Sequence, residues 1–130
     1  MRLVSDDTWG VLTVWQEARG ESKDGQIAVG EVIRERTRRR YASDGTIPGT
    51  VLRSLHFSGW NTHDPNRVLA ASLDDDDPVV QSCIAAWHES LSTNLTQGAV
   101  LYYSTSIRQP VWANDSNFVV QIGHHRFYRD

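Results

Sequence analysis

The 130-residue sequence predicts an α+β fold: one compact, mostly helical domain over residues 1–130, closed by a small antiparallel sheet toward the C-terminus. Three observations predict it. Apolar residues recur at helical spacing through the first two-thirds of the chain. After Gly98 the composition turns to β-branched and aromatic runs, Val100-Leu101-Tyr102-Tyr103 and Phe118-Val119-Val120-Gln121-Ile122. No internal repeat and no Pro/Gly/Ser-rich linker divides the chain, and helices followed by strands make the α+β class.

The first helix is expected to begin near Asp6–Asp7, where an Asp or Ser caps free N–H groups and negative charge suits the dipole. Trp9, Leu12, Trp15 (or Gln16) and Ala18 carry its spacing, and Gly20 stops it. A second helix is expected from about Asp24 to Arg39, with Ile27, Val29, Val32, Ile33 and Arg36 facing inward and Gly30 admitting a close neighbour. Residues 41–48 read as loop, Thr50–Leu55 as a short helix, and His56–Arg67 as an irregular loop rich in Ser, Gly, Asn and Asp. The clearest helix starts at Pro78 behind an Asp77 cap, with Val80, Cys83, Ile84, Trp87 and Leu91 on its buried face. A last strand, Arg126-Phe127-Tyr128, is expected to return after a turn at Gly123-His124.

Composition excludes several functions. The chain is too apolar and aromatic for disorder, with 39% hydrophobic residues. Its single cysteine, Cys83, cannot form an internal disulfide and reads as a core residue. No apolar run is long enough to span a membrane. The net charge of −3 comes from one run, Asp74–Asp77, which reads as a solvated helix cap rather than a calcium site; the other charges nearly cancel. General binding to nucleic acid is therefore not expected, and the basic stretch Arg34–Arg40 reads as an exposed helix end. The N-terminus has no basic-then-apolar pattern, so synthesis in the cytoplasm without a secretory signal peptide is expected. Five tryptophans are many for a small core: Trp87 and Trp9 are assigned to it, and Trp15, Trp60 and Trp112 to the margins of a cleft.

Three groups of residues could carry chemistry. Glu17 lies near the C-terminal end of the first helix beside Trp15. A carboxyl shielded there stays protonated and can donate a proton near neutral pH, helped by the dipole and by Glu21 four residues on. Spacing alone favours a plainer role for Glu17, a surface ion pair with Arg19, Arg34 or another Arg. The segment His56–Arg67 mixes aromatics with small polar groups, as a sugar groove does, but equally suits a loop whose Phe57 and Trp60 cap the core. His56, His63, Asp64, His124 and His125 include no recognised zinc spacing, so no metal and no cofactor are expected.

The order of these segments resembles a known family. Glu17-Ala18-Arg19-Gly20-Glu21 followed by Gly25–Ile33 resembles the opening of the spore-cortex-lytic type of cell-wall hydrolase. Phe57-Ser58-Gly59-Trp60-Asn61 with Asp64-Pro65-Asn66-Arg67 is similar to its central motif, and Gly98–Tyr103, Pro110-Val111-Trp112 and Ile122–Tyr128 to its closing motifs. The resemblance implies a lysozyme-like fold and an enzyme that cleaves the β-1,4 bond between N-acetylmuramic acid and N-acetylglucosamine in peptidoglycan. It places the catalytic acid on Glu17, reversing the reading from spacing, and implies substrate contacts from Gln26, Phe57, Ser58, Trp60, Tyr102 and Tyr103. The chain departs from the family pattern at Ser104-Thr105, where Asn-Pro is usual, at Glu35, and at Gly59, where Cys is commoner.

As a lytic transglycosylase the protein needs one catalytic Glu. As a hydrolytic muramidase it would activate water with Glu17 or with another carboxylate, for which Glu21, Glu31 and Asp64 are the candidates. Rival readings are a non-catalytic peptidoglycan-binding module, a metal-dependent amidase or peptidase using His63, Asp64 and His124, and a nucleic-acid binder. The expected partner is the glycan strand of the bacterial wall, met by a monomer without membrane insertion. The small size suggests a phage endolysin.

Overall fold

The computed structural model describes residues 5–53 and 56–130. The expected first helix, α1 (Asp6–Ala18), is capped by Ser5, whose hydroxyl accepts from the Thr8 N–H. Asp6 and Asp7 lie in its first turn, and the Asp7 carboxylate accepts the Trp87 indole N–H at 2.8 Å. The helix is buried from Gly10 through Trp15 and again at Ala18, because other elements surround it.

Helix α2 (Lys23–Arg39) is capped by Ser22 and ends where Arg40 turns left-handed. Ile27, Val29, Val32, Ile33 and Arg36 face inward as expected, all at most 6% exposed. At Gly30 a Cβ would stand 2.8 Å from the Ser90 hydroxyl, so a side chain there would push α2 away from its neighbour. That neighbour is α5 (Pro78–Glu89), capped by the Asp77 carboxylate, which accepts from the Val79 and Val80 N–H groups. Asp74–Asp77 is exposed throughout, the solvated cap the sequence suggested. Leu91 lies beyond the end of α5 and is 74% exposed, so the inward stripe stops at Trp87.

Two elements differ from expectation. The short helix forms at α3 (Ile47–Val51) rather than over Thr50–Leu55, because Thr46 caps the Gly49 N–H and Pro48 fits the first turn; the expected end, Leu55, lies outside the described residues. The expected loop 56–67 contains a 3-10 turn, Ser58–Trp60, and the start of α4 (Pro65–Ala71). Asp64 caps α4 through the Asn66 N–H, and Pro65 takes its first position, the same Asp-Pro device that opens α5.

The sheet has the order β1-β3-β2, all antiparallel, with β1 (Leu101–Ser104), β2 (Phe118–Ile122) and β3 (His125–Tyr128). Tyr102 pairs with Phe127 and Ser104 with His125. Alternation puts these four on the face toward α2, where Phe127 packs with Ala28, Val32 and Ala99. Tyr103 and Tyr128 occupy the opposite face, in a separate cluster with Ala113. The larger core joins α1, α2 and α5 around Leu12, Val14, Ile33, Cys83 and Trp87. None of the described helices is long and apolar enough to cross a membrane.

Candidate active site

Glu17 sits in the last turn of α1, where the chain turns toward α2. It lines an open cleft of about 300 Å³ with Ala18, Gly20, Glu21, Ser104, Ser106, His124 and His125. The end of α1 forms one wall, and the end of β1 with the β2–β3 turn forms the other.

Burial raises the pKa of the Glu17 carboxyl, since the charged form loses its water. A hydrogen bond from the Tyr102 hydroxyl and the charge of Arg36 oppose that rise, while Asp64 adds to it. The net effect is a raised pKa, which suits a group that must carry a proton into the reaction. Burial and Glu17 together push the Tyr102 hydroxyl well above its ordinary range, so it remains a donor to Glu17.

Among the described residues the surface ion pairs considered for Glu17 do not form. Arg19 stacks over Trp15 at 4.2 Å and donates to Asn66 Oδ1 at 3.0 Å. Arg34 lies over Trp87 at 3.9 Å and donates to the Ser90 hydroxyl and the Trp87 carbonyl. The arginine whose charge reaches Glu17 is Arg36, from inside the fold. The basic stretch is thus not one exposed helix end: Arg34 and Arg36 pack inward, while Arg38 and Arg39 pair with Glu35 and Asp130.

Of the six expected substrate contacts, Tyr102 stands with Glu17, and Ser58 is exposed at the start of the 3-10 turn. The other four are packed elsewhere. Phe57 is 1% exposed and lies in the core against the Arg36 guanidinium. Trp60, 8% exposed, donates its indole N–H to Thr13 Oγ1 at 2.8 Å and receives Trp9 edge-on. Gln26, 3% exposed, joins the Glu21 carbonyl to the Ser82 hydroxyl. Tyr103 stacks on Tyr128 on the far face of the sheet, with Trp112 edge-on to both. Trp15, expected beside the cleft, is likewise a buried core residue. The aromatic side chains of the 56–67 segment, Phe57 and Trp60, are packed into the core.

The three candidate second carboxylates are all engaged. Glu31 accepts four hydrogen bonds, from the Thr93 hydroxyl, the Leu95 N–H, and the N–H and hydroxyl of Thr96. Asp64 caps α4. Glu21, which shares the cleft with Glu17, accepts from the His124 N–H at 2.8 Å and from the His124 ring at 2.9 Å. Burial pushes the Glu21 carboxyl up, but those two bonds and the charges of His125 and His124 outweigh it and hold the pKa below the ordinary range.

Histidine placement follows from the same contacts. His125 is 6% exposed, with its ring 5.1 Å from that of Tyr102, and burial lowers its pKa. His63 is exposed on left-handed backbone. Among the described residues no three His, Cys, Asp or Glu side chains gather as a metal site requires. The Cys83 thiol is buried and its pKa is pushed up to about 12, chiefly by burial; a thiol so protonated is a poor nucleophile.

The departures from the family pattern also find physical roles. At Gly59 a Cβ would collide with the carboxamide of Gln16, which fills that space while its Nε2 donates to the Asn66 carbonyl. Ser104 and Ser106 share a hydroxyl–hydroxyl bond of 2.8 Å and line the cleft beside Glu17. Sequence reasoning placed Arg36 on the inner face of α2 without a role. It missed the Glu21–His124 link, for which two adjacent histidines after a turn glycine were the visible signal.

Comparison with solved structures gives two likenesses. The catalytic domain of the germination-specific lytic transglycosylase SleB from Bacillus anthracis matches with a TM-score of 0.71 at 21% identity, covering 99% of this chain and 99% of that one. The catalytic domain of the Bacillus cereus SleB protein matches with a TM-score of 0.72 at 21% identity, over 95% of this chain and 89% of that one. At this identity the likeness establishes the fold. No curated protein sequence matches the chain. The family described as Cell Wall Hydrolase matches residues 20–128, and the chain belongs to the cell wall hydrolase family.

Proposed function

We propose that the protein cleaves the MurNAc-β-1,4-GlcNAc bond of peptidoglycan as a lytic transglycosylase, with Glu17 as its single catalytic carboxyl. The observation that carries this is a carboxyl whose pKa is raised by burial, set in an open cleft and hydrogen-bonded by Tyr102. Family membership and the likeness to SleB agree with it, although Glu17 precedes the residues the family matches, so its role rests on the geometry.

In the first step protonated Glu17 gives its proton to the glycosidic oxygen as the C1–O bond breaks. The substrate's N-acetyl oxygen stabilises the cation at C1. The Glu17 carboxylate then takes the proton of the muramyl C6 hydroxyl, whose oxygen bonds to C1 and closes a 1,6-anhydro ring. No second carboxylate is required, which accords with the structural engagement of Glu31 and Asp64. Hydrolysis by a muramidase route is the second reading, favoured by one observation: Glu21 lines the same cleft.

The protein acts on the wall as a monomer in this proposal. Glu17→Gln, which keeps the shape and removes the acid, is expected to lower release of soluble fragments from purified sacculi by about 10²–10⁴-fold. Full release by a folded Glu17→Gln variant excludes both glycosidase routes.

A further inference from the structure

The Glu21 side chain joins the two walls of the cleft. Its backbone is fixed just beyond α1, where the Glu21 N–H donates to the Ala18 carbonyl at 3.0 Å. The Glu21 carbonyl accepts from Nε2 of the buried Gln26 at 3.4 Å, and Gln26 in turn receives the Ser82 hydroxyl at 2.7 Å. The side chain then runs between two glycines. A Cβ at Gly25 would stand 2.8 Å from the Glu21 Cβ, and one at Gly123 would stand 3.0 Å from Oε1. Gly123 also has a φ of +58°, so glycine suits that place for its backbone as well as for its size. At its far end the carboxylate meets the β2–β3 turn, 103 residues away in the chain. Oε1 accepts from the His124 N–H at 2.8 Å, and Oε2 lies 2.9 Å from His124 Nδ1. His125 Nδ1 stands 3.7 Å from Oε1, too far for a hydrogen bond, so the carboxylate's hold on the turn is through His124.

The path continues past His124. The His124 carbonyl accepts from the Thr105 N–H at 2.7 Å. Thr105 lies between Ser104 and Ser106, whose hydroxyls are bonded to each other at 2.8 Å and line the cleft with Glu17. A run of hydrogen bonds thus leads from the end of the helix that carries Glu17, through Glu21, His124 and Thr105, to the two hydroxyls of the other wall.

We propose that Glu21 is a positioning residue, a latch that fixes the wall bearing Ser104, Ser106 and His124 relative to Glu17, and that it does not act as the base that activates water. This rests on Glu17 being the acid of that cleft. Proton transfer in both steps needs the sugar oxygen within hydrogen-bond reach of Glu17, and a misplacement of about 1 Å costs about 10²-fold in rate. The cleft is open and its walls come from distant parts of the chain, so the sugar's position depends on what ties those walls together. Both Glu21 oxygens are engaged with His124, and the side chain is 9% exposed.

Glu21→Gln and Glu21→Asp separate reach from charge. Gln keeps the length, an oxygen for the His124 N–H and a donor for a neutral His124 ring; Asp keeps the charge but is shorter by one methylene. Three readouts are taken on each folded protein at mildly alkaline pH: release of soluble fragments from sacculi, hydrogen exchange of the His124 and Thr105 amides by NMR, and the urea midpoint that fixes the folded fraction. Glu21→Asp is expected to lose protection at both amides and about 10²-fold in rate. Glu21→Gln is expected to keep both amides protected and about a tenth or more of the rate, the loss reflecting a neutral in place of a charged hydrogen bond. Rate that follows charge instead of amide protection, with Glu21→Asp active and Glu21→Gln inactive, overturns the proposal and makes Glu21 a second carboxylate. Should Glu21→Asp not fold, Glu21→Gln decides: the rate kept with both amides protected supports the latch, and the rate lost with both protected overturns it. Full release by Glu17→Gln overturns the reading of Glu17 and with it the reaction the latch serves. With Glu17→Gln inactive, wild-type rate in a Glu21→Asp that has lost His124 protection overturns the latch alone.

Discussion

Replacing Glu31 by Ala separates a structural carboxylate from a catalytic one. The side chain is 7% exposed in residue terms and takes four hydrogen bonds from three residues of one loop. Thr96, 1% exposed, would lose the acceptor of both its N–H at 2.8 Å and its hydroxyl at 2.7 Å. A buried donor left unpaired costs about 1–3 kcal/mol, so these two alone cost about 2–6 kcal/mol. Thr93 and Leu95 are partly exposed and water recovers much of their loss, so the whole change is expected to cost about 3–5 kcal/mol. Against a total stability of about 5–15 kcal/mol that is severe. With a urea slope of about 2 kcal/mol per molar, the unfolding midpoint falls by about 2 M. Glu31→Gln keeps one accepting oxygen and is expected to lose about half as much. The assay is urea unfolding followed by tryptophan fluorescence, with lytic activity measured on the folded fraction. A Glu31→Ala protein with the wild-type midpoint and no activity would refute the structural role and restore Glu31 as a catalytic candidate.

Other consequences follow from the same contacts. Trp60→Phe removes the indole bond to Thr13 and is expected to cost about 1–2 kcal/mol in thermal or urea unfolding while leaving KM for peptidoglycan unchanged; a large rise in KM shows that the indole touches sugar. Gly59→Ala drives out the Gln16 carboxamide and is expected to destabilise by about 1–3 kcal/mol, recovered in part by Gln16→Ala in a double-mutant cycle; additive effects deny the collision. Glu17→Gln should stabilise the fold at neutral pH. A carboxyl whose folded pKa is raised resists ionisation only in the folded state, so its cost is absent in acid and grows as pH rises through and above the ordinary carboxylate range. Equal stability of the two proteins at every pH would contradict that sign.

The parts legible in the sequence were those with local causes. Asp77-Pro78 marks α5 because cap and proline act within one turn, and the strands follow from β-branched and aromatic runs. Asp64-Pro65 carries the same signal for α4, but the surrounding Ser, Gly and Asn made the segment read as loop. The burial of Phe57 and Trp60 was not legible, because an exposed aromatic loop and a core plug have the same composition. What separates them is Thr13, 47 residues away, and Arg36 beneath Phe57. Glu17 was visible as a residue, but its proton affinity depends on Tyr102, Arg36 and Asp64, which only the fold assembles. Tyr102 and Tyr103 look alike in the chain, and strand alternation sends one to Glu17 and the other to the far face of the sheet.

In the proposed mechanism Glu17 alone performs both proton transfers on peptidoglycan. Mass spectrometry of sacculi digested by wild type and by Glu17→Gln tests it most directly. Wild type is expected to yield fragments ending in 1,6-anhydro-muramyl groups, and the variant to lose them almost completely. Reducing muramyl ends from wild type, or undiminished release by Glu17→Gln, would contradict it.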